Sequence, residues 1–197
     1  MIVIVAGRKD DLAFNATNKV RYDYETDPNS PIYNEMCGHR WLLDNFEEHK
    51  NDPYLGLEHY RRAFALSDEK IKIILGESEI IVKEQHGPYG TDTNLTVLSG
   101  CSRHGVNYLQ QATTWVNRWR ELIPTANYNL HYGCNMFITT PKKYRAMMED
   151  EFGYIDEMLK YPNLQPAVIG YFCETILTPY IITKHNKLIY TGKVVCA

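Results

Sequence analysis

The sequence lacks several features that would assign it to a common class of protein. No apolar run approaches the roughly 18 to 20 residues of a membrane-spanning helix, and the apolar segment Met1–Ala6 lacks the basic residues of a signal peptide. The 5 cysteines are odd in number and show no Cys-x-x-Cys spacing, which predicts reduced thiols in a cytoplasmic protein. There is no P-loop, no Gly-x-Gly-x-x-Gly and no Gly-x-Ser-x-Gly, so NTPases, Rossmann oxidoreductases and serine hydrolases are disfavoured.

Positive charge is also in short supply. The chain carries 21 Lys and Arg against 24 Asp and Glu, a net charge of −3, which excludes a generally basic nucleic-acid-binding surface. A local basic strip is not excluded, and its candidate members are Arg103, Arg118, Arg120, Lys142, Lys143 and Arg145. Tyrosine is abundant, at 15 residues, and its flat apolar face with a hydroxyl suits sugar rings and nucleobases as well as ordinary half-buried surfaces.

β-Branched runs alternate with helical patterns along the 197 residues. Ile2–Ala6 is typical of a buried parallel strand, and further strands are predicted near residues 20–24, 54–57, 79–82, 135–139 and 187–195. Helices are predicted over residues 31–48, 67–75, 105–122, 141–159 and 170–184, the last continuous or broken at Pro179. We therefore predict a single α/β domain over residues 1–197, with a mostly parallel sheet and helices on both faces.

Ligands of such sheets bind beyond the carboxyl ends of the strands. That rule selects Ala6-Gly7-Arg8, then Glu58–Arg62, then the approach to Asn135. Within the second segment, His59-Tyr60-Arg61-Arg62 carries two arginines, whose planar paired donors match diphosphate oxygens. A surface salt bridge to nearby acids such as Asp68 or Glu69 is an equally good explanation of the arginines.

Three further groups are candidates for chemistry. Gly133 and Asn135 before a strand permit close approach of a ligand, although a simple turn is the plainer interpretation. Glu174 lies in an apolar context that would raise its pKa and make it a usable base. The alternative interpretation is a helix carboxylate that faces solvent or pairs with an arginine. Glu35 and His39 are four residues apart on one helix face, but a metal site formed with His59 has no recognised ligand motif behind it.

Four motifs in order resemble the bacterial capsular-polysaccharide-type glycosyltransferases that are catalogued as a domain of unknown function. They are the helix Tyr33–Trp41, the segment Gly56-Leu-Glu-His-Tyr-Arg-Arg62, the strand Asn135-Met-Phe-Ile138 and the segment Gly170–Leu177. The second motif matches in full. The first lacks the family's Leu-Thr pair, and the fourth has Thr175 where an arginine is usual.

The resemblance implies a GT-A-like transferase that takes a sugar from a nucleoside-diphosphate sugar, such as a UDP-hexose or UDP-pentose. It makes Glu174 and His59 the candidate catalytic residues. The donor-binding candidates are Ala6, Gly7, Arg8, Glu35, Tyr60, Arg61, Arg62, Asn135 and Met136. The position of the usual Asp-x-Asp metal motif is held by His59–Arg62, so the cationic side chains are expected to stabilise the leaving diphosphate with no metal or other cofactor required.

Two acceptors remain open. Family members build surface glycans, whereas compact relatives in phages decorate hydroxylated or hydroxymethylated cytosine in DNA. The short chain and the lack of a membrane element favour the phage type slightly. A non-catalytic module that binds nucleotide sugars or glycans is the alternative outside enzymes.

Overall fold

The computed structural model describes residues 2–6, 19–23, 26–33, 36–59, 62–83, 106–122, 135–160 and 167–196. The strands are β1 (Ile2–Ala6), β2 (Lys19–Asp23), β3 (Leu55–His59), β4 (Arg62–Phe64), β5 (Ile80–Lys83), β6 (Phe137–Thr139), β7 (Ile189–Gly192) and β8 (Val194–Cys196). The helices are α1 (Ser30–Tyr33), α2 (Cys37–Asp44), α3 (Phe46–His49), α4 (Asp68–Glu77), α5 (Val106–Leu122), α6 (Pro141–Leu159), α7 (Ala167–Phe172) and α8 (Thr178–His185). A π-helical segment, Cys173–Leu177, joins α7 directly to α8.

The described strands form one mixed sheet, which corrects the prediction of a mostly parallel one. Its main row has the order β2-β1-β3-β6-β5-β7, and β4 extends it by pairing with β3 and β8. Three pairings are parallel and four are antiparallel. Within the main row β6 alone is reversed, because it runs antiparallel to both β3 and β5. Hydrophobic periodicity reports burial and not strand direction, so it carries no sign of this reversal.

Helices cover both faces of the sheet, as predicted. One face carries the larger apolar core, in which Leu55, Leu57 and Phe137 of the sheet pack with α2, α5, α6, α7 and α8. The opposite face carries a smaller core, in which Ile81 and Ile138 pack with α4. Alternate residues of β5 and β6 divide between the two cores, since successive side chains of a strand point to opposite faces.

Close contact between two strands explains the glycine of the Gly-Leu-Glu-His-Tyr-Arg-Arg motif. Gly56 lies in β3 opposite Ile138 of β6. A Cβ atom at Gly56 would collide with the carbonyl oxygen of Phe137 and lie 2.8 Å from the Cα of Ile138. The motif therefore begins with a residue that lets β6 approach β3.

The predicted helix over residues 31–48 is divided in the structure. Asn45 separates α2 from α3, and its side-chain amide donates to the carbonyl oxygen of Trp41 at 2.8 Å. An asparagine side chain that bonds the backbone one turn earlier competes with regular helix geometry. The helix predicted at residues 67–75 is confirmed as α4. Ser67 caps this helix, because its hydroxyl oxygen accepts a hydrogen bond from the Lys70 amide at 3.3 Å.

No helix within the described ranges is both long enough and apolar enough to cross a membrane.

Candidate functional site

The strand ends selected from the sequence meet at one edge of the sheet. β1 and β3 are parallel with Val5 opposite His59, so their carboxyl ends lie side by side. Because β6 is antiparallel to β3, its amino end, preceded by Asn135 and Met136, reaches the same edge. The expected grouping of Ala6, the end of β3 and Asn135 is therefore observed.

Lys83 joins this edge and was missed at the level of the sequence. It ends β5, whose register with β6 places it one residue beyond the pair Val82–Phe137. The side chain is 6% exposed. The rule that selected Ala6-Gly7-Arg8 and Glu58–Arg62, a position beyond the carboxyl end of a strand, applies equally to the end of Ile80-Ile-Val-Lys83 and would have found it.

A buried carboxylate supports the pairing of β4 with β3. Glu58 is 1% exposed, and its Oε1 accepts a hydrogen bond from the backbone amide of Phe64 at 2.8 Å. β4 consequently pairs antiparallel with β3, with Arg62 directly opposite His59. Of the acids considered as salt-bridge partners for the arginines, Asp68 accepts a hydrogen bond from the Tyr54 hydroxyl at 2.6 Å.

Asn135 is fixed by both its backbone and its side chain. It has a φ of 50°, in the left-handed region that asparagine tolerates better than most residues. It is 2% exposed, its carbonyl oxygen bonds to His39 Nε2 at 2.9 Å, and its Oδ1 accepts from the Thr178 hydroxyl at 3.1 Å. Its Nδ2 is buried and makes no hydrogen bond within the part of the chain that the structure describes.

His39 serves the structure of the site and not a metal. Burial lowers the pKa of His39 to about 4, so the ring is neutral at neutral pH. A carbonyl oxygen only accepts, so Nε2 carries the ring proton toward Asn135, and Nδ1 accepts from the Tyr144 hydroxyl at 3.0 Å. Both ring nitrogens are thus occupied, and a metal site built on His39 with Glu35 and His59 does not fit.

Glu151 is a second residue that sequence reasoning missed. Its Oε1 lies 2.5 Å from Thr178 Oγ1, and the side chain is fully buried. Burial raises the pKa of Glu151 to about 8. The available signal was position, since an acid at 151 interrupts the helical apolar stripe that includes Tyr144, Met148 and Ile155.

Glu174 lies in the π-helical segment, half-buried and four residues before Thr178. The Thr178 amide bonds to the carbonyl oxygen of Cys173, five residues back. Pro179 gives a physical reason for the wide turn: it has no N–H for the carbonyl one turn earlier, and its ring would clash there. π-Helical turns occur often at functional sites. The predicted break at Pro179 is thus a change of winding.

Several predicted site residues fall outside the described residues, namely Gly7, Arg8, Glu35, Tyr60 and Arg61. Ala6 is described as part of β1. Met136 is 1% exposed, and its side chain packs in the smaller core, so any ligand contact there would use its backbone.

The chain belongs to the family described as a domain of unknown function, DUF4422, whose pattern matches residues 13–186. No curated protein matches it. Its fold is similar to part of a solved structure titled "WbbM bifunctional glycosyltransferase apo structure", with a TM-score of 0.69 and 15% sequence identity. The similarity covers 100% of this chain and 45% of that one, so this chain spans less than half of the larger protein's length.

Proposed function

We propose that this protein is a GT-A-like glycosyltransferase that transfers a sugar from a nucleoside-diphosphate sugar, such as a UDP-hexose or UDP-pentose, to a glycan hydroxyl. The observation that carries the proposal is the meeting of β1, the paired residues His59 and Arg62, and Asn135 at one sheet edge. The four sequence motifs and the fold shared with part of a bifunctional glycosyltransferase support it.

In this proposal the charged groups at the edge hold the donor diphosphate. Arg62, with Arg61, supplies planar paired donors for the phosphate oxygens and stabilises the charge that develops as the diphosphate leaves. His59 and Tyr60 precede them directly in the sequence, and Lys83 ends the nearby strand β5. Ala6, Gly7, Arg8 and Glu35 would contact the nucleoside, while Asn135 and the Met136 backbone would face the sugar.

Glu174 is proposed to act as the general base. It takes the proton of the acceptor hydroxyl while the acceptor oxygen bonds to the anomeric carbon of the sugar. The bond from that carbon to the diphosphate oxygen breaks, and the diphosphate leaves with the electron pair. Transfer is proposed not to require a divalent metal strictly, because His59–Arg62 occupies the place of the Asp-x-Asp motif. Loss of activity with EDTA and its recovery with Mn²⁺ would contradict this part.

The ion pairs of the basic strip favour a glycan over DNA as acceptor. Arg118 pairs with Glu121 at 2.9 Å, Lys143 pairs with Glu79 at 2.7 Å, and Arg145 pairs with Glu149 at 2.7 Å. A polyanion would have to displace these acids before it gained the phosphate contacts on which DNA affinity depends. Hydroxymethylated cytosine in DNA is therefore the second candidate acceptor.

The proposal is tested by incubating the purified chain with a panel of nucleoside-diphosphate sugars. Each is combined with glycan acceptors or with duplex DNA that contains 5-hydroxymethylcytosine. Free nucleoside diphosphate and the mass of each acceptor are measured. A mass gain on a glycan that Glu174→Gln abolishes supports the proposal, and a gain on DNA alone would replace the acceptor. Donor binding without release under any condition would favour a non-catalytic module.

A further inference from the structure

A buried chain of three oxygen atoms leads from helix α6 to the candidate site. Glu151 Oε1 lies 2.5 Å from Thr178 Oγ1, which lies 3.1 Å from Asn135 Oδ1. All three residues are at most 2% exposed. Asn135 Nδ2 and Glu151 Oε2 are buried without a hydrogen-bond partner in the described ranges.

The number of protons in this chain restricts how it can be bonded. The Thr178 hydroxyl has one proton and lies next to two oxygens that both accept when Glu151 is ionised. A proton on Glu151 resolves the conflict, because Glu151 then donates to Thr178 and Thr178 donates to Asn135 Oδ1. Asn135 Nδ2 is thereby left as an unused donor at the edge of the sheet.

We propose that Glu151 is a positioning residue, which acts through Thr178 to orient the Asn135 amide so that Nδ2 is presented to the ligand. The identity of this ligand rests on the proposed function: a sugar hydroxyl of the donor accepts the hydrogen bond from Nδ2. When Glu151 is ionised, Thr178 donates to the carboxylate instead. Rotation of the Asn135 side-chain amide is then favoured, because Nδ2 can donate a hydrogen bond to Thr178 Oγ1. In that orientation Oδ1 faces the ligand.

Among the titratable groups around Glu151, none named below is expected to change its charge near the pKa of Glu151. Burial raises the pKa of Tyr144 on α6 and of Cys173 in the π-helical segment well above their ordinary values. His39 on α2 is neutral above a pKa of about 4. Burial opposes ionisation of Asp150, but hydrogen bonds from Lys184 and His185 on α8 lower its pKa overall. His185 contacts Asp150 at 2.9 Å, so His185→Gln is the control.

Nuclear magnetic resonance of the full chain tests the coupling without any assay of activity. The Asn135 side-chain amide signals are identified by their loss in Asn135→Asp. They are followed together with the Glu151 carboxyl carbon from about pH 6 to 9.5. We expect the two to titrate together with a midpoint near 8, and His185→Gln to leave this unchanged. Glu151→Gln, which keeps a donor to Thr178, should abolish the amide titration, and Thr178→Ser should keep it.

Thr178→Val separates orientation from the electric field of the carboxylate. Without the hydroxyl, Glu151 should still titrate while the Asn135 signals stay flat. Asn135 signals that do not move in the parent, or that still follow Glu151 in Thr178→Val, would overturn the inference. If Thr178→Val fails to fold, the parent and Glu151→Gln decide.

Transfer kinetics provide a second readout that can fail separately. Loss of one oriented hydrogen bond to the sugar should raise the KM for the donor in Thr178→Val roughly 10-fold, with a smaller change in kcat. In the parent, the KM for the donor should change between about pH 7 and 9, and Glu151→Gln should remove this pH dependence. A parent that transfers no sugar contradicts the proposed function, while the resonance titration still decides the role of Glu151.

Discussion

The candidate side chains of the site differ in how deeply they are buried. His59, Asn135 and Met136 are each at most 5% exposed, whereas Glu174 and Arg62 are half-buried. Glu174 and Arg62 therefore have the most accessible candidate side chains at the site that the structure describes. The division suits chemistry in which accessible groups meet the reacting atoms and buried groups hold them in place.

Glu174→Gln should remove the proposed base and leave the fold and the nucleotide site. We expect transfer to fall by about 100- to 10,000-fold, because an acceptor hydroxyl is a poor nucleophile until its proton is taken. Nucleotide binding and turnover are measured on the same protein. Full activity would remove Glu174 from the site, and a proportionate loss of binding and rate would make it a ligand of the donor.

Glu151→Gln should stabilise the protein at neutral pH. The folded pKa of about 8 lies above the ordinary value of 4.5. Folding must therefore keep or take up a proton as the pH rises between these values, and this costs stability. The variant's gain in free energy of unfolding should be on the order of 3 kcal/mol near pH 7 and should vanish toward pH 4.5. Chemical denaturation across this range measures it, with the exposed Glu149→Gln as control. A gain that does not depend on pH would contradict the assigned ionisation.

At the scale of elements, the π-helical segment places Glu174 relative to Thr178. Pro179 removes the amide that regular winding would use, so the helix widens before it. A sequence can reveal the proline, and it can reveal the apolar context of Glu174. It does not reveal whether the helix stops, kinks or widens, because each of these outcomes accommodates a proline that has no N–H to donate.

Pro179→Ala should let this helix return toward regular α-helical geometry and displace Glu174. We expect no loss of thermal stability, since alanine is favoured over proline inside a helix by about 3 kcal/mol. Transfer should nevertheless fall by roughly 10-fold, because small displacements of a catalytic group are costly. Unfolding temperature and kcat are measured together. Unchanged transfer would show that the wide turn does not position Glu174.

Gly56→Ala should test the close approach of β3 and β6. The added methyl group meets backbone atoms of Phe137 and Ile138, which cannot move independently of the sheet. We expect a loss of about 1 to 3 kcal/mol in the free energy of unfolding. Gly76→Ala in α4 is the matched control: a Cβ there meets nothing within 4 Å, and the change should stabilise by up to about 1 kcal/mol. Equal effects of the two substitutions would contradict the packing.

The positions of strands and helices along the chain were largely predictable, whereas the order and direction of the strands in the sheet were not. The β-branched runs at Ile2–Ala6 and residues 79–82 locate strands because short runs rich in β-branched residues are typical of strands. The division at Asn45 was missed, because a side chain that bonds the backbone one turn earlier has no distinctive sequence pattern. Lys83 was within reach of the reasoning applied to Arg62.

For the whole molecule, strand order and direction create the site. The first three strands of the main row are parallel, which is what the carboxyl-edge rule assumes. The reversal of β6 brings the amino end of that strand to the edge, and with it Asn135. The polar core behind Asn135 joins α2, α6 and α8. Its hydrogen bonds link residues that are 27 to 96 positions apart, so spacing alone could not assemble it.

The central claim is that this edge binds the diphosphate of a nucleotide sugar, and calorimetric titration of UDP into the purified chain tests it most directly. The parent should bind, and Arg62→Ala should weaken the affinity roughly 30- to 150-fold, as expected for the loss of about 2 to 3 kcal/mol of charge-assisted hydrogen bonding. Arg145→Ala, which removes an exposed ion pair on α6, should bind as the parent does. Equal affinity of Arg62→Ala and the parent, with both proteins folded, would contradict the account.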